Sequence, residues 1–241
     1  MADPLHQFEI IPLIPLEIAG IDISFTNSAL WMMIAVVISV MFMTIATRKP
    51  AIIPGRIQVT AESLYEFIAG MIRENIGTKG RQYFPLIFTI FTIVLVGNLL
   101  GMLPYSFTYT SHIAVTMALA LGIFIFVTIL GFVKHGFHFL TIFSPPGVPL
   151  LFKPLIIPIE ILSYLIRPVT LSVRLFANMM AGHLMLKVFA GFSVAMGIGF
   201  GLLPMGMNVV LIAFEFLIAY LQAYVFTILC CIYLKDAIDL H

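Results

Sequence analysis

Leu155-Ile-Ile-Pro-Ile-Glu-Ile-Leu-Ser-Tyr-Leu-Ile-Arg-Pro-Val-Thr-Leu-Ser-Val-Arg-Leu-Phe-Ala-Asn-Met-Met-Ala-Gly-His183 begins an apolar stretch that runs on to Ala190. As one helix, Leu155–Ala190 spans about 54 Å at 1.5 Å per residue. The hydrocarbon core of a bilayer is about 30 Å thick, so such a helix tilts by roughly 55° or breaks. Pro158 and Pro168 supply places to bend, because each removes a backbone donor and crowds the carbonyl four residues earlier. Spans that face lipid tilt by only about 20° on average. A steeper helix is best accommodated against another protein, which points to a large partner.

Arg174 sits inside this stretch with no acidic residue nearer than Glu160 on one side and Glu215 on the other. A guanidinium cannot shed its proton to escape a low-dielectric site. Mid-bilayer it costs from roughly 3 kcal/mol to more than 10, depending on the reference. An intramembrane arginine without a near acidic partner therefore reads as a functional residue.

The rest of the chain supports a membrane setting. Of its 241 residues 61% are apolar and 10% charged, against about 25% charged in soluble domains. The net charge of +1 gives no reason to expect nucleic acid as a partner. Cys230 and Cys231 are adjacent in an apolar run, a poor setting for a disulfide or a metal site. The first residues carry acids but no basic residue before Arg48, unlike a typical secretory signal. No phosphate-binding glycine loop is present, so nucleotide chemistry is not expected here.

Five membrane-embedded helices are expected: 28–47, 84–103, 113–133, a tilted 155–190 and a tilted 207–234. A segment 1–27 precedes them. Arg48-Lys49-Pro50 stops the first span, the uncharged Pro104–His112 loop joins the second and third, and Ser144–Pro149 precedes the fourth. Gly191–Gly206 reads as the reversal between the last two. Segment 56–76 differs: Ile57, Ala61, Leu64, Ile68 and Ile72 recur at helical spacing, interrupted by Glu62, Glu66, Arg73 and Glu74. That is the pattern of an amphipathic interfacial helix. The expected fold is thus an all-α polytopic membrane protein, a single domain over 1–241.

With five alternating spans, Arg48, Lys49, Arg56, Arg73, Lys79, Arg81, Lys134, Lys153 and Lys235 share one side. By the positive-inside rule that side is cytoplasmic, which puts the N-terminus outside and the C-terminus inside.

The polar residues of the last two segments are ordered. At about 100° per residue, Glu160, Arg167, Arg174 and Asn178 form one stripe, with His183 on the opposite side. In the last segment Glu215 and Gln222 share a face. Taken alone, Asn178 and Gln222 suit interhelical hydrogen bonds of about 1 kcal/mol, and His183 a satisfied structural histidine. An antiparallel hairpin turning near Ile198–Gly199 changes that reading. It levels Arg174 with Gln222, His183 with Glu215, and Glu160 with Asp236. Ionisable groups at successive depths read as a proton path. In straight helices the wheel angles keep both central pairs from touching, so curvature, a π-bulge or bridging water is expected.

Pro168-Val-Thr-Leu-Ser-Val-Arg-Leu-Phe-Ala-Asn-Met-Met-Ala-Gly-His183 closely resembles the signature of subunit a of the F-type ATP synthase. The resemblance extends to Gly97-Asn-Leu-Leu-Gly-Met-Leu-Pro104 and Leu221-Gln-Ala-Tyr-Val-Phe, in the family's order and across essentially the whole chain. It implies that Arg174 is the essential arginine facing each carboxylate of a rotating ring of c-type proteolipids. Gln222 and Asn178 match its polar neighbours, and His183 and Glu215 match a pair on the periplasmic inlet. Asn98 matches a residue near the inlet, and Glu160 one near the cytoplasmic outlet. Some relatives carry a carboxylate where this chain has Gly101. The order His183 then Glu215 resembles mitochondrial-like members, which suggests an alphaproteobacterial or related source.

The resemblance further implies a non-catalytic stator subunit that binds no cofactor and sits in the bacterial inner membrane. Its partners would be the c-ring, b-type peripheral-stalk subunits and the rest of the synthase. A proton-coupled secondary transporter is the alternative, but five unequal spans show no inverted repeat. A haem carrier would need facing histidines within spans, and only His183 is well placed.

Overall fold

A computed structural model describes residues 9–15, 17–18, 21–22, 24–48, 51–103, 106–143 and 152–239. Lys49, Pro50, Pro104, the Ser144–Pro149 loop and the first eight residues lie outside that set. The chain forms helices α1 (Asn27–Thr47), α2 (Arg56–Asn75), α3 (Phe84–Gly101), α4 (Ile113–His135), α5 (Lys153–Ala195), α6 (Gly197–Phe200) and α7 (Leu202–Ile238). A 3-10 stretch, Thr78–Tyr83, leads into α3, and another, Gly136–Phe143, extends α4. The five helices α1, α3, α4, α5 and α7 are long and apolar enough to cross a membrane. The fold is an all-α polytopic membrane protein.

Two small antiparallel ladders precede α1, which the sequence reading did not anticipate. β1 (Pro12–Ile14) pairs with β4 (Phe25–Thr26), and β2 (Glu17–Ile18) with β3 (Ile21–Asp22). Strands this short carry no alternation long enough to read. Asn27 anchors them by donating to the Glu9 carbonyl and accepting from the Ile11 amide.

The last two helices are longer than expected, and the reversal is tighter. It occupies Met196–Gly201 rather than Gly191–Gly206. Glycine inside a helix costs only about 1 kcal/mol relative to alanine, which packing between two long helices can offset. Gly191 and Gly206 are therefore absorbed into α5 and α7. Gly197 makes the turn with φ +71°, a backbone conformation that L side chains rarely adopt. The Ser193 hydroxyl donates to the Gly201 carbonyl at 2.9 Å and ties the turn shut.

Helix α7 is the central element, packed against α5, α3, α4 and α2. The core is built around the fully buried Phe91, Leu175, Phe226 and Leu234, with the thiols of Cys230 and Cys231 buried among them and unbridged. Helix α2 buries Ala61, Ile68, Met71 and Ile72, whereas Ile57 on the same expected face is 52% exposed. The stripe runs out because the first turn of α2 extends beyond the bundle. Phe67 carries the contact instead, its ring 5.7 Å from that of Phe91 and 5.9 Å from that of Tyr224.

At one end of the bundle the helix ends are fastened together. Lys79 Nζ lies 2.6 Å from Asp239 Oδ1, and His135 Nε2 lies 3.2 Å from the Ile238 carbonyl. That hydrogen bond from Lys79 lowers the Asp239 carboxyl below its ordinary range.

Candidate functional site

Helix α5 is two-faced around Arg174. Leu171, Ser172, Leu175 and Met179 are buried, while Val173, Arg174, Ala177, Asn178 and Ala181 are exposed. The buried face is fixed by a hydrogen bond between the Ser172 and Thr116 hydroxyls, 3.0 Å apart, which ties α5 to α4. Arg174 is thereby turned out of the bundle. Among the described residues no carboxylate stands within ion-pair distance of its guanidinium.

Gln222 is buried on α7 and donates through Nε2 to the Arg174 backbone carbonyl at 3.3 Å. This resolves the wheel-angle conflict. Gln222 meets the backbone of residue 174, not its side chain, so the inner side of α5 stays available to His183. No π-bulge is needed: α5 is continuous α-helix through both prolines.

His183 and Glu215 meet directly, with Nδ1 3.2 Å from Oε1 and both side chains largely buried. The approach lacks hydrogen-bond alignment, and neither carboxyl oxygen of Glu215 has a hydrogen-bond partner. A Cβ on Gly182 would lie 2.6 Å from Glu215 Oε1, so the glycine is what lets the carboxyl approach α5. On its other side the ring of His183 meets Thr108, with Nε2 3.1 Å from Oγ1. Asn98, fully buried on α3, donates to the Ala219 carbonyl at 3.2 Å, one turn of α7 beyond Glu215, and its Oδ1 has no partner.

The expected levelling of Glu160 with Asp236 is replaced by another pair. Arg167 Nη1 lies 2.9 Å from Asp236 Oδ2. The guanidinium also sits 5.5 Å from the Tyr164 ring and 5.3 Å from the Tyr233 ring. Two facing carboxylates repel, whereas Arg167 offers Asp236 an opposite charge and two aromatic faces support it. Glu160 is half-buried on α5, apart from this cluster.

The arrangement is an outward arginine and, about 13 Å along α5 at 1.5 Å per residue, an inward histidine–carboxylate pair. The family model of the ATP synthase A chain matches residues 29–235. The chain belongs to the ATP synthase A chain family. ATP synthase subunit a of Rhodospirillum rubrum is 58% identical over 241 residues, covering all of both chains. That of Rhizobium leguminosarum bv. trifolii is 54% identical over 242 residues, with 98% of this chain and 97% of the relative covered. That of Parvibaculum lavamentivorans is 55% identical, covering 98% and 93%. These are alphaproteobacterial proteins, in line with the His183-then-Glu215 order.

Within this ATP synthase A chain fold, several polar residues escaped the sequence reading. Thr108, Thr110 and Ser111 are buried in the connection between α3 and α4, and Asn208 Oδ1 is buried without a partner on α7. The signal was the hydroxyl content of Ser106, Thr108, Thr110 and Ser111 in a loop that looked merely short and uncharged. Gly182 gave no signal beyond its place next to His183.

Proposed function

We propose that this chain is the proton-conducting stator of its synthase, offering two offset half-channels to the carboxylates of a c-ring. The observation that carries the reading is the exposed, carboxylate-free Arg174 on a face of small residues, set apart in depth from the buried His183–Glu215 pair. A rotor carboxylate crosses lipid only when protonated, because an unpaired charge in hydrocarbon is too costly. Opposite Arg174 it is held as the anion, since a neighbouring cation lowers a carboxylate pKa by about 1–3 units. The partner missing from Arg174 would thus be supplied in trans by each c subunit in turn.

In this reading the inlet runs from the periplasmic side through His183 and Glu215, with Asn98 beside it. Buried polar atoms without protein partners, such as Glu215 Oε2, Asn98 Oδ1 and Thr110 Oγ1, favour a hydrated path there. Asn178 and Gln222 flank the arginine, and Glu160 stands toward the outlet. Arg174 never deprotonates, so it keeps protons from passing directly between the two paths. A membrane potential of about 100 mV adds about 2.3 kcal/mol per charge moved and biases the rotation. The peripheral stalk would hold the chain still through b-type subunits.

Arg174→Ala is expected to abolish coupled ATP synthesis in inner-membrane vesicles, and Arg174→Lys to fail as well. ATP synthesis near the wild-type rate in either variant would sink this assignment. Glu215→Gln, measured as ATP-driven proton pumping, is expected to slow uptake without blocking assembly.

A further inference from the structure

Thr108 stands at the outer end of the His183–Glu215 pair, and its hydroxyl has two competing acceptors. Oγ1 is 3.3 Å from the Gly101 carbonyl, to which it can donate, and 3.1 Å from His183 Nε2. The side chain is 5% exposed and held from both sides. Phe107 stacks on the His112 ring at 4.9 Å, and the Tyr109 hydroxyl donates to the Ile93 carbonyl at 3.1 Å. A Cβ on Gly101 would lie 2.6 Å from Thr108 Cγ2 and 2.8 Å from its Oγ1. The bare glycine therefore gives Thr108 the room it occupies.

We propose that Thr108 is a proton-relay residue whose rotating hydroxyl keeps Nε2 of His183 partnered while the His183–Glu215 pair alternates between one and two protons. This rests on the inlet reading above. With one proton in the pair, it sits on Nδ1 facing the Glu215 carboxylate, and Nε2 accepts from the Thr108 O–H. To load the second proton, Thr108 Oγ1 accepts a proton from the loop side as its own proton passes to Nε2. The donor is a hydronium on the loop side: one O–H bond breaks there and one at Thr108, while one O–H bond forms at Thr108 and one N–H bond at Nε2, leaving a water molecule behind. The hydroxyl then points to the Gly101 carbonyl and accepts from Nε2–H. The imidazolium so formed passes its Nδ1 proton across the 3.2 Å contact to Glu215, which becomes a neutral acid beside the bare Nδ1. An imidazole carries one donor and one acceptor when neutral and two donors when charged. A hydroxyl, able to donate or accept, is the group that matches both states.

The test uses the intact synthase in inner-membrane vesicles. Thr108→Val, close in shape but without a hydroxyl, is expected to slow ATP-driven proton pumping about a hundredfold, the low end of what positioned proton-transfer groups contribute. Thr108→Ser should recover to within about twofold. Nitrogen-15 spectra of labelled histidine should show the His183 tautomer distribution shifted in Thr108→Val and restored in Thr108→Ser. Gly101→Ala, which keeps the hydroxyl but crowds it, should resemble Thr108→Val. If Thr108→Val pumps normally, or Thr108→Ser is as slow as Thr108→Val, the Thr108 assignment is overturned. If His183→Ala and Glu215→Gln also pump normally, the inlet reading falls with it. Slow His183 and Glu215 variants beside a normal Thr108→Val overturn the Thr108 role alone.

Discussion

At the scale of single residues, the His183–Glu215 contact depends on a neighbour that has no side chain. Gly182 leaves the space into which the Glu215 carboxyl reaches from α7. Gly182→Ala places a methyl 2.6 Å from Oε1 and 3.0 Å from Cδ, so the flexible carboxyl end must retreat from Nδ1. The expected result is an assembled complex whose ATP-driven proton pumping is reduced roughly tenfold, equivalent to about 1.4 kcal/mol on the barrier. Pumping at the wild-type rate would show that the close approach does not matter. The ionisable members of the pair were legible because charge in an apolar run is costly and so stands out. Gly182 and Thr108 were not, since a glycine and a loop threonine violate no expectation of composition or period. Their importance exists only once α3, α5 and α7 are assembled.

At the scale of elements, helical arithmetic carried far but treated charges as interchangeable. Depth alone levelled Arg174 with Gln222 and His183 with Glu215, and both contacts form. Depth alone also levelled Glu160 with Asp236, where like charge makes contact unfavourable, and Arg167 takes Asp236 instead. The Arg167–Asp236 pair, with side chains 27% and 29% exposed, clips α5 to α7 at the end opposite the Gly197 turn. Asp236→Asn is expected to cost about 1–2 kcal/mol, because it strands a partly buried guanidinium that two tyrosine faces only partly support. The reversed pair, Arg167→Asp with Asp236→Arg, should recover part of that loss. Thermal inactivation of the purified complex reads both effects, and a double variant no better than the sum of the single variants would argue against a direct coupling. The reversal between α5 and α7 is shorter than Gly191–Gly206 because glycine inside a well-packed helix does not by itself break it. In a long, well-packed hairpin only Gly197 needs the left-handed backbone.

At the scale of the whole molecule, the distribution of charge implies an orientation that packing makes coherent. Lys79 reaches Asp239, and His135 reaches the end of α7, so the basic ends of α3, α4 and α7 form one surface. The Gly197 turn lies at the far end of the α5–α7 hairpin, with Val194, Phe200 and Leu203 exposed. By the positive-inside rule we propose that the basic surface faces the cytoplasm. Phe137, 90% exposed beside Lys134, and Leu203, 81% exposed beside the turn, are suitable reporters for opposite sides. The native Cys230 and Cys231 are buried at 3% and 0% exposure, so the background reaction with a bulky thiol reagent should be small. With a membrane-impermeant maleimide, Phe137→Cys is expected to react in inverted vesicles and Leu203→Cys in spheroplasts. The opposite pattern would reverse the inlet and the outlet together. His183 and Thr108 would then face the cytoplasm, and the proton path through them would be an exit from the rotor rather than its supply.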